Sequence, residues 1–342
     1  MNIKKLVCII FVGCAVGFIA FESFLIRYYN TNMHQWIRPE MYQLDFVESA
    51  FNVKKKQKQE YENFVQEGYK KIPQETIVFC GLIRNGASSL PLMMKRIEKT
   101  GKLFKDYKVL VFENDSVDGT RELLKEWQEK NSHVHVIECA FEDCKIGHKP
   151  MYEYGVTSGD RMEKMAFFRN HYLKELKDKY SHFNYMMVID LDIKGPWSVD
   201  GLAHAIAQKE WDAQFAYGLH SIFTGGQLLF MYDALAYLGM NDTRKDLQNK
   251  LFIVWHYIRM NFWRFLGVQK GDPLIPVKSS FSGVGLYKIP SILKAEYKKD
   301  VCEHIAFHEQ MAQNGHDKLF INPSLLLLSG HQGPQTLEKM LK

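Results

Sequence analysis

Short apolar runs that alternate with helical patterns constrain the fold of this chain more than any other sequence feature. Four runs have strand character, and an amphipathic helical pattern follows each of the first two. A long helix is predicted over residues 161–179, just before the fourth run. Strands that alternate with helices favour an α/β fold, in which ligands bind at the carboxyl ends of the strands. The four predicted strands lie at 76–80, 109–112, 134–137 and 185–189.

Two carboxylates follow the most strand-like of these runs. Asp190 and Asp192, separated by one leucine, come directly after residues 185–189. Divalent cations such as Mg²⁺ and Mn²⁺ prefer carboxylate oxygens, and phosphate and water complete their coordination shell. An Asp-x-Asp triplet is common by chance, so its position at a strand end is what makes it a candidate. The sequence therefore predicts a Mn²⁺ or Mg²⁺ site at Asp190 and Asp192.

Residues 111–120 read Val-Phe-Glu-Asn-Asp-Ser-Val-Asp-Gly-Thr, an apolar strand followed by acids, a polar turn and a helix start. This segment resembles the first nucleotide-binding loop of GT-A fold glycosyltransferases, specifically the family 2-like members that contain an Asp-x-Asp motif. The resemblance implies that Glu113 and Asp115 contact the donor nucleoside. Glu113 replaces the Asp of the family pattern, and Asp115 stands in its Gly position.

The resemblance to GT-A glycosyltransferases covers residues 76–334 and implies a fold and a reaction. The expected fold is a Rossmann-like, mixed and mostly parallel sheet flanked by helices. The expected reaction moves a hexose from a nucleotide diphosphate sugar to a hydroxyl group of a glycan, a glycolipid or a glycoprotein. Arg84, after the first strand, and Arg169, on the long helix, are expected to bind the donor together with Asp190. Arg169 can pair with a phosphate in a bidentate manner, and an exposed position on the helix is its alternative.

Residues 302–309 and the glycine at 315 are similar to the acceptor-side helix of the same family. The match places Glu303 on the family's Glu and His304 on the Asp that inverting members use as general base. An imidazole has a near-neutral pKa and can accept the proton of a hydroxyl group. His304 and Glu303 are therefore the candidate catalytic residues, with His308 and Glu309 as competitors. Metal binding or phosphate orientation is an alternative role for His304.

His331 follows an apolar run and is the last candidate ligand. Several members of the family complete the metal shell with a late His, so the resemblance implies this role for His331, with a structural role as the alternative. Tyr232 and Asp233 are expected to serve packing rather than sugar contact. The segment 247–266 contains both aromatic and basic residues. This composition is typical of a core helix, or of a helix that lies on a membrane or binds a lipid-linked acceptor.

The N-terminus predicts a membrane anchor. Lys4 and Lys5 precede an apolar run at 6–26, and about 20 apolar residues span a bilayer. The run exceeds the apolar region of most cleaved signal peptides, and a lipoprotein cleavage site at Cys14 is the alternative. We therefore predict a transmembrane helix over residues 1–27, a Lys-rich stem over 28–75 and the catalytic domain over 76–342. We expect a single-pass, type II membrane protein whose catalytic domain is lumenal in the Golgi or ER, or a protein attached to the membrane of a bacterium.

Composition restricts the partners. The net charge is +5, but basic residues are scattered among acids, which argues against nucleic acid as a partner. The expected partners are a nucleotide-sugar donor, a glycan, lipid-linked or protein acceptor, and the membrane through residues 6–26. A sugar nucleotidyltransferase and a catalytically inactive, membrane-anchored glycan-binding protein of the same fold are the alternatives. The cysteine spacing indicates no disulfide framework and leaves the redox compartment open.

Overall fold

A computed structural model of the chain describes residues 42–139, 159–221, 229–233, 235–244, 247 and 267–331. The predicted membrane segment at 6–26 lies outside these ranges, as does the segment 247–266 apart from its first residue. None of the helices in the described ranges is long and apolar enough to cross a membrane.

The N-terminal half of the sheet is parallel. Its strands lie in the order β3-β2-β1-β4, with each neighbouring pair parallel. The strands are β1 (Thr76–Ile83), β2 (Asp106–Glu113), β3 (Val134–Glu138) and β4 (Tyr185–Asp190). The helices of this half are α1 (Lys58–Lys71), α2 (Leu90–Gly101), α3 (Thr120–Lys130) and α4 (Gly159–Lys179). The alternation of strand and helix predicted from the sequence is present here.

The C-terminal half is mixed and continues the sheet as β4-β9-β5-β10-β8-β7, with β6 paired to β5. Among the described strands of this half, β5 and β10 alone pair in parallel, whereas β9 is antiparallel to both β4 and β5. The mixed α/β sheet expected from the sequence is therefore present, but the mostly parallel character applies only to its first four strands. The elements are α5 (Val199–Ala207), β5 (Ala213–Ser221), β6 (Leu229–Met231), β7 (Leu238–Gly239), β8 (Ile275–Ser279), β9 (Val284–Lys288), α6 (Ile289–Ile292), α7 (Glu303–Gln313) and β10 (Leu319–His331).

The central strands are buried on both faces, and each face contributes to a separate hydrophobic cluster. In β1, Val78 and Cys80 belong to one cluster and Ile77 and Phe79 to the other, because successive side chains of a strand point to opposite faces. Residues of α4 and α7 complete the first cluster, and residues of α2, α3 and α5 complete the second. This two-sided burial explains why the strands read as continuous apolar runs.

Part of the segment predicted as a stem packs onto this body. Phe46 and Phe51 are buried in the first hydrophobic cluster, and their rings stack with centroids 5.2 Å apart. Helix α1 packs against α5, where the buried Tyr61 stacks on the His204 ring at 5.6 Å. The buried Lys270 donates to the backbone carbonyl of Glu48 at 3.2 Å. Residues 46–71 are therefore part of the packed structure.

Candidate active site

Strand register brings the predicted donor-binding acids to one edge of the sheet. Ile83 of β1 pairs with Glu113 of β2, and Leu82 pairs with Asp190 of β4. Neighbouring strands lie about 4.8 Å apart, so Glu113 and Asp190 flank β1 at about 10 Å from each other. Because all three strands are parallel, this edge is the carboxyl edge, where α/β proteins bind ligands.

Left-handed backbone conformations cluster around the same edge. In the described ranges the non-glycine residues with positive φ are Asn85 (51°), Asp115 (55°), Asp233 (63°) and Ser282 (53°). Asn85 follows β1, Asp115 follows β2, and Ser282 lies beside Gly283, whose carbonyl accepts the Asp190 N–H at 3.0 Å. Such conformations are unfavourable for side-chain-bearing residues and concentrate at ligand sites.

Hydrogen bonds tie the loop after β1 to the loop after β2. The Asn85 N–H donates to the Ser116 hydroxyl and its side-chain oxygen accepts from the Val117 N–H, each at 2.9 Å. The Ala87 N–H donates to the Asp118 carboxylate at 3.0 Å. The two loops therefore form one pre-ordered floor at the carboxyl ends of β1 and β2.

Glu113 is enclosed within this floor. Its side chain is 2% exposed, and its two oxygens accept from the Ser116 N–H at 2.7 Å and from Arg121 Nε at 2.9 Å. Arg121 Nη2 also donates to Asp115 at 3.0 Å, and Asp115 is 51% exposed. Arg84, the remaining donor-binding candidate on these loops, is exposed. The sequence reasoning missed Arg121, although a cation in the first turn of a helix that begins beside two acids was an available signal.

Asp190 is held in place from several sides. Its Oδ1 lies 3.6 Å from Arg169 Nη2, and its Oδ2 accepts from the Tyr232 hydroxyl at 3.4 Å. Burial raises the pKa of Asp190 to about 8; the Arg169 guanidinium opposes this shift, and the carboxylates of Asp192 and Asp233 add to it. Asp192 itself is exposed. The carboxylates at this edge therefore repel one another in the absence of a further cation.

Arg169 occupies a buried position between carboxylates. Its side chain is 3% exposed, so the alternative of an exposed position on the helix is wrong. Its Nε donates to Glu303 at 3.0 Å, and its Nη1 donates to the Tyr172 hydroxyl at 3.3 Å. The guanidinium also lies over the Phe281 ring, 5.2 Å from the centroid. Arg169 thus links helix α7 to the acid at the end of β4.

His304 lies beside this ion pair. The ring is 2% exposed, stacks on Phe281 with centroids 4.1 Å apart, and has its Nε2 3.8 Å from the Glu303 carboxylate. Neither ring nitrogen has a hydrogen-bond partner in the part of the chain that the structure describes. Burial lowers the pKa of His304 well below its ordinary value, and the positive charge of Arg169 lowers it further. Burial therefore favours the neutral form of the ring, and its nitrogens bond to none of the described residues.

The competing candidates on α7 have other contacts. The Ser279 hydroxyl donates to the Ala236 carbonyl at 2.8 Å, so it accepts from His308 Nδ1, which lies 2.8 Å away. His308 Nε2 then accepts from the Tyr287 hydroxyl at 2.9 Å. Burial lowers the pKa of His308 to about 3. His308 is thus a fully bonded neutral core residue. Glu309 is half exposed and pairs with Arg244 at the surface.

No group of three His, Cys, Asp or Glu side chains in the described part of the chain is arranged to hold a metal. The third predicted ligand, His331, ends β10, and its side chain lies outside the described atoms. The backbone before it approaches the chain that leaves Asp192, because the Leu328 N–H donates to the Pro196 carbonyl at 3.0 Å. The oxygens of Asp190 and Asp192 suit a hard divalent cation, which would also relieve the repulsion among the acids.

Comparisons with known proteins give structural matches only. No protein-family model and no curated protein matches the sequence. The chain is similar to mannosyltransferase PcManGT from Pyrobaculum calidifontis, solved with GDP-Man and Mn²⁺, at 11% identity and a TM-score of 0.40, over 80% of this chain and 66% of that one. It is similar to S. aureus TarS 1-349 at 11% identity and a TM-score of 0.41, over 78% of this chain and 63% of that one.

A third similar structure is glucosyl-3-phosphoglycerate synthase from Mycobacterium tuberculosis, in complex with Mn²⁺, UDP and glucosyl-3-phosphoglycerate. The identity is 11% and the TM-score 0.44, over 81% of this chain and 79% of that one. The chain spans less than two thirds of the length of the first two structures.

The structure adds Asp233 to the candidate site, although the sequence favoured a packing role for it and for Tyr232. Burial raises the pKa of Asp233 to about 6, and the negative charge of Glu303 adds to the shift, while Arg161 and Arg169 oppose it. Its influence on the Asp190 pKa places it in the same group of charges. The local sequence did not predict this role for Asp233. The residue follows β6, which is three residues long and, among the described strands, pairs with β5 alone.

Proposed function

We propose that the chain is a metal-dependent glycosyltransferase that moves a hexose from a nucleotide diphosphate sugar to an acceptor hydroxyl group. The proposed acceptor is a glycan, a glycolipid or a glycoprotein. The observation that carries this proposal is the arrangement of two acidic groups on either side of β1. Glu113 and Asp115 lie at the end of β2, and Asp190 and Asp192 lie at the end of β4. The loop after β2, which Glu113 holds from within and on which Asp115 is exposed, is the proposed nucleoside site, and Asp190 and Asp192 form the neighbouring diphosphate site.

Asp190 and Asp192 are the proposed ligands of Mn²⁺ or Mg²⁺, with His331 as a third ligand. When bound there, the cation supplies charge neutralisation for the departing diphosphate. Arg169 holds Asp190 through its guanidinium and, by the resemblance noted above, is the proposed phosphate contact. Arg84, exposed at the end of β1, completes the proposed set of donor-binding residues.

His304 is the proposed acceptor of the hydroxyl proton, because neither of its ring nitrogens is hydrogen-bonded to a residue in the described ranges. Glu303 is the proposed positioning residue, since its carboxylate is bonded to Arg169. The His304 ring is stacked on Phe281 and almost fully enclosed, so the acceptor has to displace neighbouring side chains to reach it. His304→Ala is therefore expected to lower kcat far more than it raises the donor KM. Unchanged turnover in that variant would remove His304 from the reaction.

The decisive experiment screens a panel of nucleotide sugars for Mn²⁺-dependent hydrolysis by the wild-type protein and by the Asp190→Asn/Asp192→Asn double variant. We expect turnover of at least one sugar donor by the wild type and none by the double variant, whose folded state is checked by its far-UV circular dichroism spectrum. Retained turnover in the double variant would show that the metal binds elsewhere. No turnover and no thermal stabilisation with any donor would favour a catalytically inactive glycan-binding protein.

The sugar nucleotidyltransferase alternative predicts a different first loop. Such enzymes ordinarily carry a Gly-rich, Lys-containing signature near the first strand, whereas β1 here is followed by Arg84, Asn85 and Gly86. Release of pyrophosphate from a nucleoside triphosphate and a sugar phosphate would support that alternative. Release of a nucleoside diphosphate from a nucleotide sugar supports the proposed transferase.

We further propose that residues 6–26 anchor the protein in a membrane as a single-pass, type II segment, with the catalytic domain on the lumenal or extracytoplasmic side. Cys139 is disulfide-bonded, and disulfides persist in oxidising compartments. The full chain is expected to stay in the membrane pellet after alkaline carbonate extraction, and a variant without residues 1–27 is expected in the supernatant. Equal distribution of the two proteins would contradict the anchor.

A further inference from the structure

We propose that Arg121 reads the nucleobase of the donor and selects guanosine diphosphate sugars. This inference rests on the proposed function, because it requires a nucleoside to lie over the loops after β1 and β2. The residues involved are Arg121 and the two carboxylates that hold it, Glu113 and Asp115.

Glu113 does not itself present an oxygen to a ligand. Both of its oxygens accept hydrogen bonds from the protein, and its side chain is almost fully enclosed. A uracil N3–H, which needs an acceptor, therefore meets no free oxygen of Glu113. The exposed part of this floor belongs to Arg121, whose side chain is 47% exposed, and to Asp115.

The hydrogen bonds of Arg121 leave one edge of its guanidinium available. Nε donates to Glu113 and Nη2 donates to Asp115, whereas Nη1 donates to none of the described residues. The remaining N–H groups of Nη1 and Nη2 form two parallel donors at the end of the side chain. Such an edge matches two adjacent acceptors, and guanine offers O6 and N7. Adenine and uracil do not have two adjacent acceptors on one edge. Cytosine has O2 and N3, but guanine is the commoner bidentate partner of Arg, so CDP is the comparison that tests the guanosine assignment most closely.

The position of Arg121 on its helix supports a role in binding. It is the second residue of α3, where the positive end of the helix dipole disfavours a cation. Two carboxylates nevertheless hold the guanidinium there, and one of them is buried. Arg121 is thus fixed in orientation before a ligand binds, which reduces the entropy lost on binding.

The location also fits the reach of a nucleotide. Glu113 pairs with Ile83 and Asp190 pairs with the preceding residue, Leu82, so the two acids lie on either side of β1 about 10 Å apart. A nucleoside whose diphosphate lies at Asp190 and Asp192 extends across the end of β1 toward α3. Its base then arrives at the free edge of Arg121, while the exposed Asp115 is placed to accept from ribose hydroxyl groups.

The test measures the Kd of GDP, UDP, CDP and ADP by calorimetry in the presence of Mn²⁺, using the full chain in detergent. We expect GDP to bind tightest, and we expect Arg121→Ala to weaken GDP about 10- to 100-fold. The affinity for UDP is expected to change less than threefold. Arg121→Lys keeps the charge and removes the paired donors, so it is expected to lose the preference for GDP as well.

Lys125→Ala serves as the matched control, because Lys125 is an exposed cation one turn further along α3. This control is expected to retain wild-type affinity for all four nucleotides. Two results would overturn the guanosine assignment and leave the transferase proposal in place. One is that a nucleotide other than GDP binds tightest, and the other is that Arg121→Lys lowers the affinity for all four nucleotides equally. No binding of any nucleotide would overturn both.

Discussion

Glu303→Ala tests the buried ion pair that joins α7 to the candidate metal site. The substitution leaves the Arg169 guanidinium buried with Asp190 at 3.6 Å and the Tyr172 hydroxyl at 3.3 Å as its remaining partners. Removing one partner of a buried pair costs about 3 to 5 kcal/mol. Because Arg169 keeps two partners, we expect the free energy of unfolding to fall by about 3 kcal/mol, at the lower end of that range. For a domain of this size the thermal midpoint should fall by about 6 to 12 °C.

The measurement is urea denaturation followed by tryptophan fluorescence, with two comparison variants. Glu303→Gln keeps an oxygen that can accept from Arg169, so its loss is expected to be about 1 to 2 kcal/mol. Glu309→Ala removes a half-exposed acid on the same helix, whose pair with Arg244 lies at the surface. Its expected effect is below about 0.5 kcal/mol.

A double-mutant cycle with Arg169→Met distinguishes the ion pair from general packing. If the pair accounts for the loss, the double variant should be more stable than the sum of the single effects predicts, by about 1 to 3 kcal/mol. Strict additivity, or a Glu303→Ala effect no larger than that of Glu309→Ala, would refute the role assigned to the pair.

Three further predictions concern parts of the fold that support the site. Burial lowers the pKa of His204 to about 4. Between pH 6.5 and 4 the folded state therefore binds fewer protons than the unfolded state, and the free energy of unfolding decreases as the pH falls through this window. The wild type should therefore lose about 2 kcal/mol more than His204→Gln between pH 7.5 and 5 in urea titrations; parallel curves would contradict this. Gly283→Ala places a Cβ 2.5 Å from Ile193 at a φ of 80°, so calorimetric melting should show a loss of about 1 to 3 kcal/mol, and an unchanged midpoint would disprove the strain. Tyr287→Phe removes the donor to His308 Nε2 and should cost about 1 to 3 kcal/mol by urea denaturation, whereas a neutral effect would mean that the hydrogen bond is unimportant.

Local sequence patterns predicted the N-terminal half of the fold, in which parallel strands alternate with helices. The apolar runs that form β1 to β4 are each followed or preceded by a helix. Because these parallel strands are buried on both faces, their sequences are continuously apolar and are easily recognised as strands. The strand-end rule then placed Asp190 and Glu113 at one edge without any knowledge of long-range contacts. The resemblance to GT-A glycosyltransferases added α7 and its Glu303.

The remainder depended on contacts between distant segments. Strand β9 lies antiparallel between β4 and β5, and its paired residues are 95 to 103 positions from those of β4 and 70 to 74 positions from those of β5. No local pattern specifies pairing over such separations. For the same reason, Arg169 was not assigned to a buried pair with Glu303 across 134 residues. Polar, Lys-rich residues also concealed the packing of α1, because the helix buries little more than Tyr61 and Gly68 of its own surface.

The most direct test of the account is calorimetric binding of the preferred nucleoside diphosphate with and without Mn²⁺, in the wild type and in Asp192→Asn. Asp192 is exposed, so its substitution should leave the thermal midpoint unchanged. The account predicts tight binding only when Mn²⁺ is present, and a loss of at least about tenfold in the variant, equivalent to about 1.4 kcal/mol. Equal nucleotide affinity with and without the metal, or in the two proteins, would contradict a metal-held diphosphate at the carboxyl end of β4.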